Sequence, residues 1–180
     1  MEKLDPDTRT FVLHFGEMGS HWGINRTVGQ VYALLYLAES PLCADDIVQA
    51  LGVSRSNVSM SLKELQAWRL VKLQHIGGDR RDFFSTPDDV WEIARTLIEE
   101  RRRRELDPTL SVLRDLMLNA EDREETHGQR RIREMHDLLE QSVRWSDDLL
   151  RLNPSTLKQV IRLGDGVRKL VDFGARRDGT

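Results

Sequence analysis

The chain has 180 residues, 39% hydrophobic and 32% charged, with a formal net charge of −3. That length suits one domain, or one domain with an oligomerisation extension, and the charge load suits long solvated helices. A slightly acidic chain is not a polycation, so affinity for nucleic acid must come from a local basic patch, and a single cysteine, Cys43, excludes an internal disulfide or a zinc framework.

The N-terminal stretch MEKLDPDTRT is too polar for a signal peptide. No segment approaches the roughly 18 apolar residues of a membrane span. The expectation is a cytoplasmic protein with no membrane association, no cofactor and no resident metal. His14, His21, His75, His127 and His136 show no ligand spacing with one another or with Cys43. Gly16-Glu17-Met18-Gly19 lacks the lysine of a phosphate loop. Adjacent acids such as Asp147-Asp148 point in different directions on a helix, so no catalytic dyad is expected and the chain does not read as an enzyme.

Phe11, Phe15, Met18 and Trp22 recur at helical spacing and predict a helix over about 7–22, with Asp5-Pro6 as its cap and first residue. Gly23 ends it, and a second helix runs from about Thr27 to Glu39 with Val31, Leu34, Leu35 and Ala38 facing inward. ADDIVQAL at 44–51 is a short helix closed by Gly52. Ser54 caps the next helix, which runs to about Trp68 with Val58, Leu62 and Leu65 as its buried stripe. VKLQHI (71–76) and DFFST (82–86) flank Gly77-Gly78-Asp79-Arg80-Arg81, the pattern of a β-hairpin that places at least one of Phe83 and Phe84 in the core.

Thr86-Pro87 is expected to open the next helix, with Thr86 as cap and Pro87 first. Pro108 is expected to break it, and Asp107-Pro108 to cap another. The run Arg101–Arg104 reads as a solvated helix end, and 120–129 as a loop. Two further helices follow, one carrying Ile132, Met135, Leu139 and Val143, the other capped by Asn153-Pro154 and carrying Leu157 to Leu170.

A helix, a short helix, a tight turn, another helix and a hairpin make the order of a winged helix-turn-helix, whose second helix enters the DNA major groove. At about 100° per residue, Ser56, Met60, Lys63 and Ala67 lie opposite Val58, flanked by Asn57 and Ser59. Small polar groups with one lysine suit close approach to base edges. Other polar stretches here are rich in acids, as in IEERRRRE at 98–105, whereas 54–61 has none before Glu64. Residues 53–81 hold six basic side chains against Glu64 and Asp79, a balance of +4 within an acidic chain.

WGINRTVGQVYALLYL (22–37), VSRSNVSMSLKELQAWRLV (53–71) and GGDRRDFF (77–84) together resemble the GbsR branch of the MarR-type regulators. The resemblance is close in the N-terminal half and extends to helical layout alone in the rest. It implies a homodimeric winged-helix DNA-binding protein, with Ser54 to Lys63 as the DNA-reading end of the recognition helix. It also implies that Asp79 holds Arg81 at the minor groove. Cys43 departs from the pattern, since Ser or Thr often caps that helix.

The fold expected is mainly α with a small β-wing, a winged helix-turn-helix plus a helical dimerisation region. Residues 1–23 would contribute to dimerisation, 24–86 bind DNA, and 87–180 form the dimerisation and effector region. Ser56, Asn57, Ser59 and Met60 would read base edges, Arg55 and Lys63 hold phosphates, and Arg80 and Arg81 meet the minor groove. The expected partner is double-stranded DNA with a pseudo-palindromic operator, the expected outcome repression, and an effector of unidentified chemistry would change the separation of the recognition helices. Trp22, Trp68, Trp91 and Trp145 could line a site for an organic cation, although Trp22 and Trp68 fit more simply as core residues. The competing reading is a winged-helix protein–protein adaptor, against which Lys63, Arg80 and Arg81 argue.

Overall fold

Asp5 starts the first helix: its Oδ1 accepts the backbone N–H groups of Asp7 and Thr8 at 3.1 and 3.0 Å, and α1 spans Pro6–His21. The computed structural model describes residues 4–21, 23–118 and 126–153, together with 156 and 159. Trp22 lies outside them, as does almost all of the last expected helix; Asn153 Oδ1 does accept the Thr156 N–H at 2.8 Å, as a cap would. The chain divides into two compact units, Met1–Glu100 and Arg101–Thr180.

In the first unit, α2 (Arg26–Leu37) is capped by Asn25, whose side chain accepts the Thr27 N–H. The buried residues of α1 are Val12, Gly16 and Gly19, while Phe11, Phe15 and Met18 are only half-buried. The large apolar residues named by periodicity therefore flank the contact rather than fill it. The reason is a close helix crossing: a Cβ on Gly29 of α2 would lie 2.6 Å from the Phe15 carbonyl oxygen. Phe11 instead stacks on Phe15 and faces Tyr36, with ring centroids 4.3 and 6.0 Å away.

A two-residue strand, β1 (Leu42–Cys43), leads into α3 (Ala44–Leu51). Gly52 ends α3 in the left-handed conformation, φ 67°, and donates its N–H to the Val48 carbonyl. Two residues later Ser54 Oγ accepts the Asn57 N–H and begins α4 (Arg55–Ala67). Val58, Leu62 and Leu65 are buried as the spacing predicts, and they join Val31, Leu34, Leu35 and Ile47 in one core. Each such side chain contributes about 1.5–3 kcal/mol when removed from water.

The end of α4 has no glycine. Leu70 N–H donates to the Leu65 carbonyl and Arg69 N–H to that of Gln66, with Arg69 at φ 57°. This double bond pattern closes a helix through a left-handed residue, normally glycine, and buried Leu65 and Leu70 supply the apolar pair that accompanies it. Arg69 also lies 3.9 Å from the carboxylates of Glu99 and Glu100.

The wing consists of β2 (Lys72–His75) and β3 (Asp82–Ser85), antiparallel, with β3 central in the order β1-β3-β2. Leu42 pairs with Phe84 and Cys43 with Phe83 on one side, and Leu73 pairs with Phe84 on the other. Gly78, φ 87°, permits the turn in which Asp79 N–H reaches the Ile76 carbonyl at 3.1 Å. Both phenylalanines are buried, and Phe84 belongs to the core.

The helix after the wing, α5, spans Val90–Arg101. Thr86-Pro87 does not open it: Asp89 is the cap, its Oδ1 accepting the Trp91 N–H and its carbonyl the Ile93 N–H. Pro87 is buried before the first turn.

In the second unit Pro108 does not break the helical path. A π-helical turn, Arg102–Leu106, runs straight into α6 (Asp107–Leu118). Asp107 N–H bonds back to the Arg102 carbonyl, five residues away, so the wider turn accommodates a residue with no N–H of its own. Arg102 is therefore no solvated helix end; it pairs with Asp147 and is half-buried. The final described helix, α7, spans His127–Arg151 and begins inside the expected loop, with Thr126 and Gln129 forming a reciprocal cap.

Candidate nucleic-acid interface

Residues Arg55, Ser59 and Lys63 follow one another at four-residue spacing and line one side of an open groove on the first unit. Arg80 and Arg81 of the wing line the other side, and Cys43 and Phe84 also border it. Its volume is about 470 Å³. Four cations thus converge on one concavity between α4 and the wing. Asp45 and Asp82 border it too.

Ser56, Asn57 and Met60 lie further round the exposed surface of α4, and all three are solvent-facing. Met60 is 69% exposed, the most open large apolar side chain among the described residues. Asn57 and Met60 border a second, smaller concavity with Asn25 and Thr27 at the start of α2. Ser54 acts locally, since besides capping α4 its hydroxyl lies 3.1 Å from that of Ser56.

The wing tip is built around Arg81. Its Nε donates to both Asp79 carboxylate oxygens, at 3.0 and 2.9 Å, and its Nη2 donates to Oδ2 at 2.6 Å. The Arg81 backbone N–H adds a fourth bond to Asp79 at 2.9 Å. These hydrogen bonds, the side-chain ones foremost, hold the Asp79 carboxyl at about 2, against its ordinary 3.8. Arg81 Nη1 also donates to Cys43 Sγ at 3.4 Å, and its guanidinium lies 5.2 Å from the centre of the Phe83 ring.

Cys43 connects this cluster to α3. Its thiol and its backbone N–H both bond to Asp46 and lower that carboxyl below its usual value. Asp46, three residues into the helix, thus supplies a cap without a Ser or Thr at position 43. Sequence reasoning missed the tie from Cys43 to Arg81, 38 residues apart. It also missed Asp45, whose carboxylate is ion-paired with Arg55.

Of the four tryptophans, Trp22 lies outside the described residues. Trp68 packs on the core of the first unit, Trp91 is half-buried and Trp145 is exposed on α7. No group of three His, Cys, Asp or Glu among the described residues is placed to hold a metal. No described helix is long and apolar enough to cross a membrane.

Residues 22–82 match the MarR family profile. They run from the start of the helix-turn-helix region to the return strand of the wing, and so include every groove residue named above except Phe84. No curated protein matches the chain. Among solved structures, the crystal structure of a transcriptional regulator is similar at 22% identity and a TM-score of 0.69, covering 81% of this chain and 96% of that one. That likeness establishes the MarR-type winged-helix fold, mostly helical with one small three-stranded sheet. The transcriptional regulator Tm0710 from Thermotoga maritima is a looser match, with 17% identity and a TM-score of 0.38, covering 79% of this chain and 92% of its own.

Proposed function

We propose that this chain is a sequence-specific DNA-binding transcriptional regulator of the GbsR branch, acting as a homodimer on a pseudo-palindromic operator. The observation that carries the proposal is the groove between α4 and the wing, where Arg55, Lys63, Arg80 and Arg81 converge beside an acid-free polar helix face. Phosphates would be held by Arg55 and Lys63 and the minor groove met by Arg80 and Arg81, while Ser56, Asn57, Ser59 and Met60 approach base edges in the major groove. The bracing of Arg81 fixes its reach before DNA arrives, so less side-chain freedom is lost on binding.

Dimerisation is supported by apolar residues left exposed on the second unit. Met135, Leu138 and Trp145 of α7 lie on a three-and-four spacing with Ser142, the seam of a helix that packs against another. A twofold pair would present two α4 helices to major-groove faces about 10 base pairs apart. Repression is the expected default, and the region after residue 87 would house dimerisation and any effector response. Such a regulator works in the cytoplasm.

The test is selection of duplexes from a random library by the full chain, followed by competition with random DNA. Enrichment of an inverted repeat with half-sites about one helical turn apart supports the proposal. Absence of any enriched sequence, with no salt-sensitive binding, refutes it.

A further inference from the structure

Asp45 borders the groove and lies in the first turn of α3, where the helix dipole favours an acid. Capping of α3 falls to Asp46, which bonds the Cys43 N–H. Asp45 instead reaches across the helix-turn-helix to the guanidinium of Arg55, the first residue of α4. Both partners are largely solvent-exposed, 67% for Arg55 and 56% for Asp45, and an ion pair of that kind contributes little to folding. Arg55 also sits at a helix N-terminus, where the dipole disfavours a cation, so without a counter-charge it would turn outward toward any anion. The nearest anion on bound DNA would be a backbone phosphate, which carries no sequence information.

We propose that Asp45 is an affinity-setting residue: it competes with the DNA backbone for Arg55 and so holds back binding to DNA of any sequence. The inference rests on the DNA-binding reading above and names a regulation of that same groove. Any duplex offers Arg55 a screened phosphate, which exchanges one carboxylate partner for another anion with little gain. Removing the carboxylate strengthens binding to all sequences through one extra phosphate contact; matched and random sites gain alike, so the ratio of specific to non-specific affinity is unchanged.

The experiment compares full-length wild type, Asp45→Asn and Asp45→Glu. The probes are a duplex selected from a random library by the wild type and a random-sequence duplex of equal length, each across a salt series. Asp45→Asn should bind the random duplex about 3- to 10-fold more tightly at low salt, with a salt slope steeper by about one. Its gain on the selected duplex should be equal, and Asp45→Glu should restore wild-type behaviour. Matching thermal melts for the three proteins separate this from a folding effect. Asp45→Asn with unchanged affinity and slope on both duplexes, or with a gain confined to one of them, overturns the proposal while leaving the DNA-binding reading intact. A wild type that binds neither duplex overturns both.

Discussion

Asp79 grips Arg81 with both carboxylate oxygens, and the same guanidinium reaches Cys43 Sγ at 3.4 Å. One side chain thereby joins the tip of the wing to the root of α3. The wing is otherwise a two-stranded extension whose outer strand, β2, is exposed at every position. A long cation at such a tip would sample many rotamers; here its direction is set by neighbours on both sides.

Asp79→Ala removes that brace and leaves Arg81 in place. DNA affinity should fall by about 3- to 10-fold, the cost of ordering one long side chain on binding. The sign is informative, because deleting an acid near DNA would by electrostatics alone strengthen binding. Fluorescence anisotropy with a selected duplex measures it, and a melting temperature close to wild type shows that the fold is intact.

The brace also has a pH signature. The Asp79 carboxyl is held at about 2 rather than 3.8, chiefly by the Arg81 side chain. A depressed carboxyl contributes fully above its ordinary value and is lost as pH falls through the lowered one. Wing-tip amide shifts in an NMR titration should therefore stay constant through pH 4 and change only as pH approaches about 2. A midpoint at the ordinary carboxyl value would mean that the pair does not persist in solution.

Tyr32 predicts a change at the other end of the scale. Burial, with Tyr36 beside it, pushes its hydroxyl up to about 12 from 10.0. A raised group gives stability that is complete below its unfolded value and lost as pH rises through its folded one. In a Tyr36→Phe variant, which keeps the burial but removes the Tyr36 charge, the tyrosinate absorbance should rise between about 10 and 12, and chain stability should decline over the same range.

The helix crossing in the first unit makes a paired prediction. Gly29→Ala forces a methyl against the Phe15 carbonyl oxygen and should destabilise by about 1–3 kcal/mol, less up to about 1 kcal/mol regained from helix propensity. Gly19→Ala meets the Gly29 Cα at 3.7 Å and the Ile24 and Asn25 carbonyl oxygens at 3.8 and 3.9 Å, all ordinary contacts. It should be neutral or stabilising by up to about 1 kcal/mol. Urea denaturation midpoints of the two variants should fall on opposite sides of wild type, or at least differ clearly.

The residues that periodicity could place were those with a single dominant cause. Val58, Leu62 and Leu65 repeat at helical spacing because one core buries them, and Gly52 and Gly78 stand where a positive φ is needed. Arg69 carried no such sign, since a left-handed residue other than glycine is set by the bonds around it rather than by its own type. The α1 helix was legible from its spacing, but its contact with α2 was not, because close packing selects glycine there and hydrophobic spacing points to the bulky neighbours instead. Pro108 looked like a break because sequence shows the missing N–H but not the π turn that absorbs it.

The groove was legible as charge but not as balance. A window over 53–81 gathers Arg55, Lys63, Arg80 and Arg81, yet folding adds Asp45 from α3 and Asp82 from β3. Likewise Asp79 and Arg81 are two residues apart and could be paired by inspection, whereas Cys43 reaches Arg81 only through the pairing of β1 with β3.

The central claim is that the groove between α4 and the wing holds the DNA backbone. The most direct measurement is the salt dependence of binding to a selected duplex for wild type, Lys63→Ala and Arg80→Ala. Each substitution should weaken binding across sequences and make the slope of log affinity against log salt shallower by about one, since each removes one cation set against the DNA. Slopes and affinities indistinguishable from wild type in both variants would contradict the account.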